Sequence, residues 1–238
     1  MDHSTSNPTL HLLCAGAAQG LVKALQGRYA EHTGAMLTGR FGAVGGLKEA
    51  LLAGAPCDLM ITTDVMVDEL VASGMLRADS RVSLGRVRTG IAVRQGTPQP
   101  EVDTPDALKA ALLAADAIYF PDPLRATAGI HFAQVMRALD IHEALLPRFH
   151  TYPSGAIAMR ELACSDTPRP IGCTQLTEIL YTEGVQLVAA LPQRFELATG
   201  YSAAVAARAT QPDLAAGLAA WLTGAESLAL REAGGFER

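Results

Sequence analysis

The stretch Gly54-Ala55-Pro56-Cys57-Asp58-Leu59-Met60-Ile61-Thr62-Thr63-Asp64 decides the fold class of this chain. A turn that contains proline leads into a short apolar run, which suits a buried strand. Asp64 follows the run, and an aspartate at that place commonly caps the first turn of a helix. The stretch therefore predicts a strand over 58–62 that passes directly into a helix, with Asp64 as its N-cap.

The same order of strand and helix recurs along the whole chain. Predicted helices separate the strands, and two helices close the chain at 212–222 and 225–233. Regular alternation of this kind predicts an α/β fold with a mostly parallel sheet. The predicted strands are 10–14, 36–40, 58–62, 87–93, 117–120, a strand near Ile171, 185–190 and 197–206.

The composition limits the classes of function. Of the 238 residues, 49% are hydrophobic and 18% are charged, which indicates a globular protein. The net charge of −5 argues against nucleic acid as a partner, and no apolar stretch is long enough to predict membrane insertion. The four cysteines are widely spaced without a CxxC pair, so we expect small core residues and predict no metal site and no cofactor.

The N-terminal segment bears on the compartment. Residues 1–8 are polar and lack the apolar centre of a secretory signal peptide. The sequence as written therefore predicts a cytoplasmic protein. A periplasmic location is expected instead if the N-terminus has been truncated.

Two successive α/β cycles predict two lobes. We expect the segments 86–92 and 195–202 to cross between the lobes, so that the terminal helices return to the first lobe. The first lobe is then predicted to comprise 9–86 and 200–238, and the second 87–199. Such a chain forms a hinged clamshell that binds its ligand at the interface.

Three blocks of the chain resemble the molybdate-binding-protein family of ABC importers, which has the type II periplasmic-binding-protein fold. The blocks are the stretch 54–64, the segment 122–130 and the closing pair of helices, and the similarity runs from Leu10 to around Phe236. The resemblance implies a two-lobed α/β clamshell with mixed, mostly parallel sheets and a hinge. It also implies a small anionic ligand in the cleft and an ABC permease as a possible partner.

The positions that hold the oxyanion in that family differ here. The family has serines where this chain has Ala17 and Val44, and a tyrosine where it has Thr174. Each lost hydroxyl removes a hydrogen bond to an ionised acceptor, worth about 1.5–3 kcal/mol. We therefore do not expect molybdate or sulfate as the ligand, and the space at Ala17 and Val44 favours a larger organic anion such as a di- or tricarboxylate.

Other polar residues are expected near the same cleft. Arg125 lies in the loop before a predicted helix, and its planar guanidinium matches the geometry of a carboxylate. Ser154 and Thr174 are candidates for ligand contact, but each is equally suited to cap a helix. The predicted ligand-binding residues are Ala17, Ala18, Ala43, Val44, Thr63, Arg125, Ala128, Tyr152, Ser154, Thr174 and Gln175.

Two functions remain open from the sequence. The first is a solute-binding protein that closes on a small organic anion. The second comes from the resemblance, since some proteins similar to molybdate-binding proteins are isomerases, aconitate isomerase among them. Such an enzyme needs an acid–base residue to remove and return a proton. His131, Tyr152 and Asp122 are the candidates, and none stands out.

Overall fold

The structure is a computed structural model that describes residues 7–238. Residues 1–6, on which most of the signal-peptide prediction rests, lie outside the described residues. In the described part the strands are β1 Thr9–Ala15, β2 Met36–Gly42, β3 Leu59–Thr63, β4 Val82–Arg94, β5 Ala117–Pro121, β6 Phe149–Tyr152, β7 Pro170–Gln175, β8 Val185–Ala190 and β9 Ala198–Val205. The helices are α1 Gly16–Thr33, α2 Val44–Leu52, α3 Asp64–Ala72, α4 Pro105–Ala114, α5 Thr127–Ala138, α6 His142–Leu145, α7 Gly155–Ala163, α8 Leu176–Leu180, α9 Pro212–Thr223 and α10 Ala225–Ala233.

The predicted helix cap after β3 was assigned one residue too late. The N-cap of α3 is Thr63, whose hydroxyl accepts a hydrogen bond from the N–H of Met66 at 3.4 Å. Asp64 is already the first helical residue, and its carboxylate accepts a hydrogen bond from the hydroxyl of Ser202. The hydroxyl of Thr63, a predicted ligand-binding residue, is therefore used in the helix cap.

The strand β6 was not predicted. Its four residues, Phe149-His150-Thr151-Tyr152, do not alternate between apolar and polar side chains in the way that predicts a strand. In the structure all four are half-buried or exposed. The strand exists because it pairs in parallel with β5 along its whole length. Pairing with a neighbour, a tertiary effect, outweighs the weak local signal.

The strands form one mixed sheet in the order β2-β1-β3-β9-β4-β7-β5-β6, and β8 pairs with β4. The pairs β1–β2, β1–β3, β5–β6 and β5–β7 are parallel. Every antiparallel pair described involves β4 or β9. Because residues 82–88 of β4 pair with β9 and residues 89–93 with β7, β4 joins the two lobes.

Each lobe has its own hydrophobic core. In the first lobe, which contains β1 to β3, Leu12, Ile61 and Leu218 are buried in one cluster. In the second lobe, which contains β5 to β7, the rings of Phe120 and Phe132 meet edge to face at 5.5 Å. Burial of these side chains stabilises each lobe by about 1.5–3 kcal/mol for every large apolar residue.

The cysteines only partly follow the prediction of small core residues. Cys14 and Cys173 are buried, Cys57 is partly buried, and Cys164 is exposed. All four are free thiols. Burial raises the pKa of Cys57 to about 12, with a smaller upward contribution from the charge of Asp58 and a downward one from a backbone hydrogen bond. This thiol is therefore poorly reactive.

Candidate functional site

The starts of four helices surround one small cavity between the lobes. Gly16 of α1 and Val44 of α2 line it from the first lobe, and Thr127 of α5 and Gly155 of α7 line it from the second. The volume is about 30 Å³, enough for about one water molecule. Because helix N-termini present free N–H groups and a positive dipole end, this central cavity favours negative charge.

A larger cavity, the mouth cavity, adjoins the central cavity. It has a volume of about 510 Å³ and shares Gly42 and Ala43 with the central cavity. Arg40 of β2 and Arg125 line it from opposite lobes, together with Asp122. Two guanidinium groups at one entrance can bind an anion that is larger than the central cavity holds.

Contacts across the mouth join the two lobes. The N–H of Gly45 donates to the carbonyl oxygen of Arg125 at 3.4 Å. The guanidinium of Arg125 lies 3.7 Å from the carboxylate of Glu49, and both side chains are more than half exposed. The carboxylate of Asp122 accepts the N–H groups of Leu124 and Arg125, which fixes the loop that carries Arg125.

Most of the predicted ligand-binding residues lie around these two cavities. Tyr152 and Arg125 line the mouth cavity, and Ser154 caps α7 by accepting the N–H of Ile157 at 3.4 Å. The predicted residues that line the central cavity are Ala17, Ala43, Val44, Ala128, Ser154 and Gln175.

Four sequence candidates line neither cavity. Ala18 is fully buried in α1, and Thr63 caps α3. Thr174 was expected to follow a strand as a possible cap, but it lies within β7 and its hydroxyl donates to Glu178. The Nε2 atom of His131 lies 2.7 Å from the carbonyl oxygen of Phe195.

Glu178 is the acidic residue of the central cavity, and the sequence reasoning missed it. It lies on α8 and is only 7% exposed. Its carboxylate accepts the N–H of Ala156 at 3.2 Å and the hydroxyl of Thr174 at 2.5 Å. The one signal in the sequence was the presence of a single acid in the otherwise uncharged segment 170–182.

The environment of Glu178 changes its acidity. Burial raises the pKa of this carboxyl above its ordinary value, and the hydrogen bonds from Thr174 and from the backbone of α7 only partly oppose that rise. Tyr201 of β9 also lines the cavity and is buried, and its own pKa is raised by burial and by Glu178. The cavity thus contains a carboxyl that holds a proton more readily than an exposed glutamate does.

The described part of the chain contains neither a metal-binding cluster nor a membrane-spanning helix. Among residues 7–238, no group of three or more His, Cys, Asp and Glu side chains is placed to hold a metal ion. Within that same range, no helix combines the length and apolar character needed to cross a bilayer. Helix starts, hydroxyls, arginines and one buried acid are the chemistry that the cleft offers.

Known proteins share this fold over nearly the whole chain. The periplasmic molybdate-binding protein of Azotobacter vinelandii has a TM-score of 0.78 at 18% identity, with 96% of this chain and 99% of that chain covered. The sulfate-binding protein SubI of Mycobacterium tuberculosis has a TM-score of 0.72 at 18% identity, with 96% and 86% covered. These likenesses confirm the predicted two-lobed periplasmic-binding-protein fold.

Similarity at the level of the sequence identifies the family of this chain. An aconitate isomerase of Pseudomonas sp. is 26% identical, with 96% of this chain and 87% of that protein covered. The family model described as bacterial extracellular solute-binding protein matches residues 10–237. The chain therefore belongs to the family of bacterial extracellular solute-binding proteins.

Proposed function

We propose that this protein binds a small organic polycarboxylate in the cleft between its lobes. The observation that carries the proposal is the convergence of four helix starts on the central cavity, with two arginines at the adjoining mouth cavity. Helix starts favour one carboxylate of the ligand, and arginine favours another. A ligand that contacts both lobes would also stabilise their closed arrangement.

The chemistry of the central cavity disfavours a metal oxyanion as the ligand. Ala17 and Val44 provide no hydroxyl to a tetrahedral anion. An organic acid extends beyond this point into the mouth cavity, where Arg40 and Arg125 neutralise its remaining charge.

Calorimetry with a panel of anions tests the proposal. We expect citrate, tricarballylate and trans-aconitate to bind, and molybdate and sulfate to bind much more weakly. The variant Arg125→Ala should weaken tricarboxylate binding by at least about tenfold, the loss of one charge-assisted hydrogen bond. Arg137→Ala is the matched control, because Arg137 is exposed in the last turn of α5. The proposal is wrong if no carboxylate binds, or if molybdate binds more tightly than all of them.

A second function, isomerisation of an unsaturated tricarboxylate, is favoured by the likeness to the aconitate isomerase over 96% of the chain. The reaction would remove a proton beside a carboxylate and return it, without a cofactor. The same cleft would exclude water and stabilise the negative charge that develops. Proton NMR of trans-aconitate in D₂O tests it, because an isomerase produces the cis isomer and a pure binding protein leaves the ligand unchanged.

The expected partner depends on which of the two functions, solute binding or isomerisation, the protein has. A solute-binding protein of this family would deliver its anion to an ABC permease from the periplasm, whereas an isomerase would act beside enzymes that consume tricarboxylates. Neighbouring genes for a permease and an ATPase would favour transport. Neighbouring genes for tricarboxylate metabolism would favour catalysis, with the cytoplasmic location expected from the sequence.

A further inference from the structure

Glu178 lies where the helix starts of both lobes meet. A Cβ atom added to Gly16, the first residue of α1, would lie 2.2 Å from one carboxylate oxygen of Glu178. A Cβ atom added to Gly155, the first residue of α7, would lie 2.0 Å from the other. Glycine at these two helix starts therefore leaves the space that the Glu178 carboxyl occupies.

Few charges surround this carboxyl. Tyr201 of β9 faces it from the sheet and is itself influenced by the thiol of Cys14 on β1, and both residues are buried with raised pKa values. Glu178 also borders a second, outer cavity of about 330 Å³ between α1, α7 and α8. The charged residues of that outer cavity are Lys23 of α1, Arg160 of α7 and Glu183 after α8. Solvent in the outer cavity gives Glu178 a path for proton exchange apart from the mouth cavity.

The acid–base candidates from the sequence are placed less favourably. Asp122 uses its carboxylate to accept two N–H groups of its own loop. His131 lies 2.7 Å from a carbonyl oxygen, which only accepts, so Nε2 is occupied as a donor. Burial raises the pKa of Tyr152, so its phenolate forms less readily. None of these three side chains lines the central cavity, whereas Glu178 does.

We propose that Glu178 is the catalytic acid–base residue for a 1,3-proton shift on an unsaturated tricarboxylate that places one carboxylate in the central cavity and extends into the mouth cavity. The proposal rests on the proposed function, since it needs a polycarboxylate at the helix starts. It goes beyond that function by assigning the proton transfer to one residue. A base works best when its pKa lies near the working pH, and the raised pKa of Glu178 agrees with that requirement.

The step is balanced within the ligand and Glu178. The ionised carboxylate takes a proton from the methylene carbon next to the double bond, and the C–H electron pair spreads over the allyl system and its carboxylates. The helix starts stabilise this charge. Glu178 then returns the proton to the other end of the allyl system, the double bond moves, and the new double bond forms in the cis or trans geometry. No oxidant, metal or second substrate is required.

Deuterium incorporation into trans-aconitate tests the role of Glu178. In D₂O we expect the wild-type protein to exchange the methylene protons and form the cis isomer. Glu178→Gln should lower the exchange rate by at least about 100-fold, yet bind the unreactive analogue tricarballylate, because an amide resembles a protonated carboxyl. Glu183→Gln, which changes the acid of the outer cavity only, should exchange at the wild-type rate.

A second variant keeps the test decisive if Glu178→Gln does not fold. Thr174→Val removes the hydroxyl that lowers the pKa of Glu178. The acidic limb of the exchange-rate profile against pH should therefore move to higher pH, which a purely structural role would not cause.

The outcomes separate the two proposals. Exchange or isomerisation that persists at the wild-type rate in Glu178→Gln overturns the role of Glu178, as does a wild-type protein that binds trans-aconitate with neither exchange nor isomerisation. In both cases the binding proposal stands. A wild-type protein that binds no polycarboxylate overturns the proposed function itself.

Discussion

Asp58 and Glu178 are both buried carboxylates, yet their surroundings have opposite effects on their acidity. Asp58, just before β3, accepts N–H groups from His11, Thr210 and Gln211 at 2.6–3.0 Å, and also the Thr210 hydroxyl. Burial alone would raise the pKa of Asp58, but these hydrogen bonds outweigh burial and the pKa is lowered. For Glu178, burial outweighs the hydrogen bonds and the pKa is raised.

The difference in pKa separates an acid that stabilises the fold in its charged form from an acid that can gain and lose a proton. The donors around Asp58 come from β1 and from the residues before α9, so the ionised carboxylate holds distant parts of the first lobe together. Glu178 lies at the interface of the lobes, beside a cavity, with fewer donors. One acid is fixed in its charged form, while the other can change its charge.

The largest expected effect comes from breaking the Asp58 network. Asp58→Asn places an amide NH₂ against the N–H of His11 or those of Thr210 and Gln211, so a buried donor loses its acceptor. We expect a loss of about 3 kcal/mol in the free energy of unfolding at pH 7, measured by urea denaturation.

The pH dependence of that loss follows from the lowered pKa. The stabilisation by Asp58 is present above the ordinary pKa of 3.8 and is lost as the pH falls through the lower value in the folded state. The difference between wild type and Asp58→Asn should therefore shrink in strong acid. Equal stabilities at pH 7 would contradict the structural role of Asp58.

The second effect concerns the space around Glu178. In Gly155→Ala the new methyl group would lie 1.9 Å from the hydroxyl oxygen of Thr174 and 2.0 Å from the Glu178 carboxylate. We expect a loss of about 2 kcal/mol from overpacking, measured by denaturation. Gly46→Ala is the matched control, because a Cβ atom there meets nothing within 4 Å. Equal stabilities of the two variants would show that the central cavity is looser than described.

The third effect sharpens the contrast in pH dependence. The raised pKa of Glu178 means that its favourable contribution is complete below the ordinary pKa of 4.5 and is lost as the pH rises through the higher value in the folded state. Relative to Glu178→Gln, the wild type should become less stable between pH 4.5 and pH 8, by about 1.4 kcal/mol for each unit of pKa displacement. Glu161→Gln, at an exposed position of α7, serves as the control in thermal melts over this range. A constant difference between wild type and Glu178→Gln would mean that Glu178 has an ordinary pKa.

The smallest effect is expected at the mouth cavity. Arg125 and Glu49 are more than half exposed and 3.7 Å apart, so their ion pair contributes under about 1 kcal/mol to stability. Glu49→Gln should leave unfolding nearly unchanged. It should strengthen tricarboxylate binding, since it frees the guanidinium of Arg125. Weaker binding in Glu49→Gln would show that Arg125 needs this partner to reach the ligand.

The order of strands and helices was predictable because each element carries its own local signal. Thr9–Ala15 and Leu59–Thr63 are buried apolar runs, and Gly34 ends α1 with a left-handed φ of 70° that glycine adopts without strain. The helix starts around the central cavity were predictable for the same reason. The strand at Phe149–Tyr152 was not, because its pairing with β5 is a contact between distant residues.

The candidate site was predictable in part. Small residues at helix starts, such as Ala17 and Val44, pointed to the central cavity, and Arg125 to its mouth. Glu178 escaped because its importance depends on burial between two lobes, a property that no local pattern encodes. Thr174 was misread for a related reason, since β7 continues to Gln175 and places the hydroxyl against Glu178.

The titration of the Glu178 carboxyl tests the central claim most directly. With glutamate labelled by ¹³C at the carboxyl, and Glu178→Gln used to assign the signal, NMR follows this group against pH with and without tricarballylate. We predict a midpoint above 4.5 and a change in the signal when tricarballylate binds. A Glu178 signal that titrates like an exposed glutamate and ignores bound tricarballylate would contradict the account.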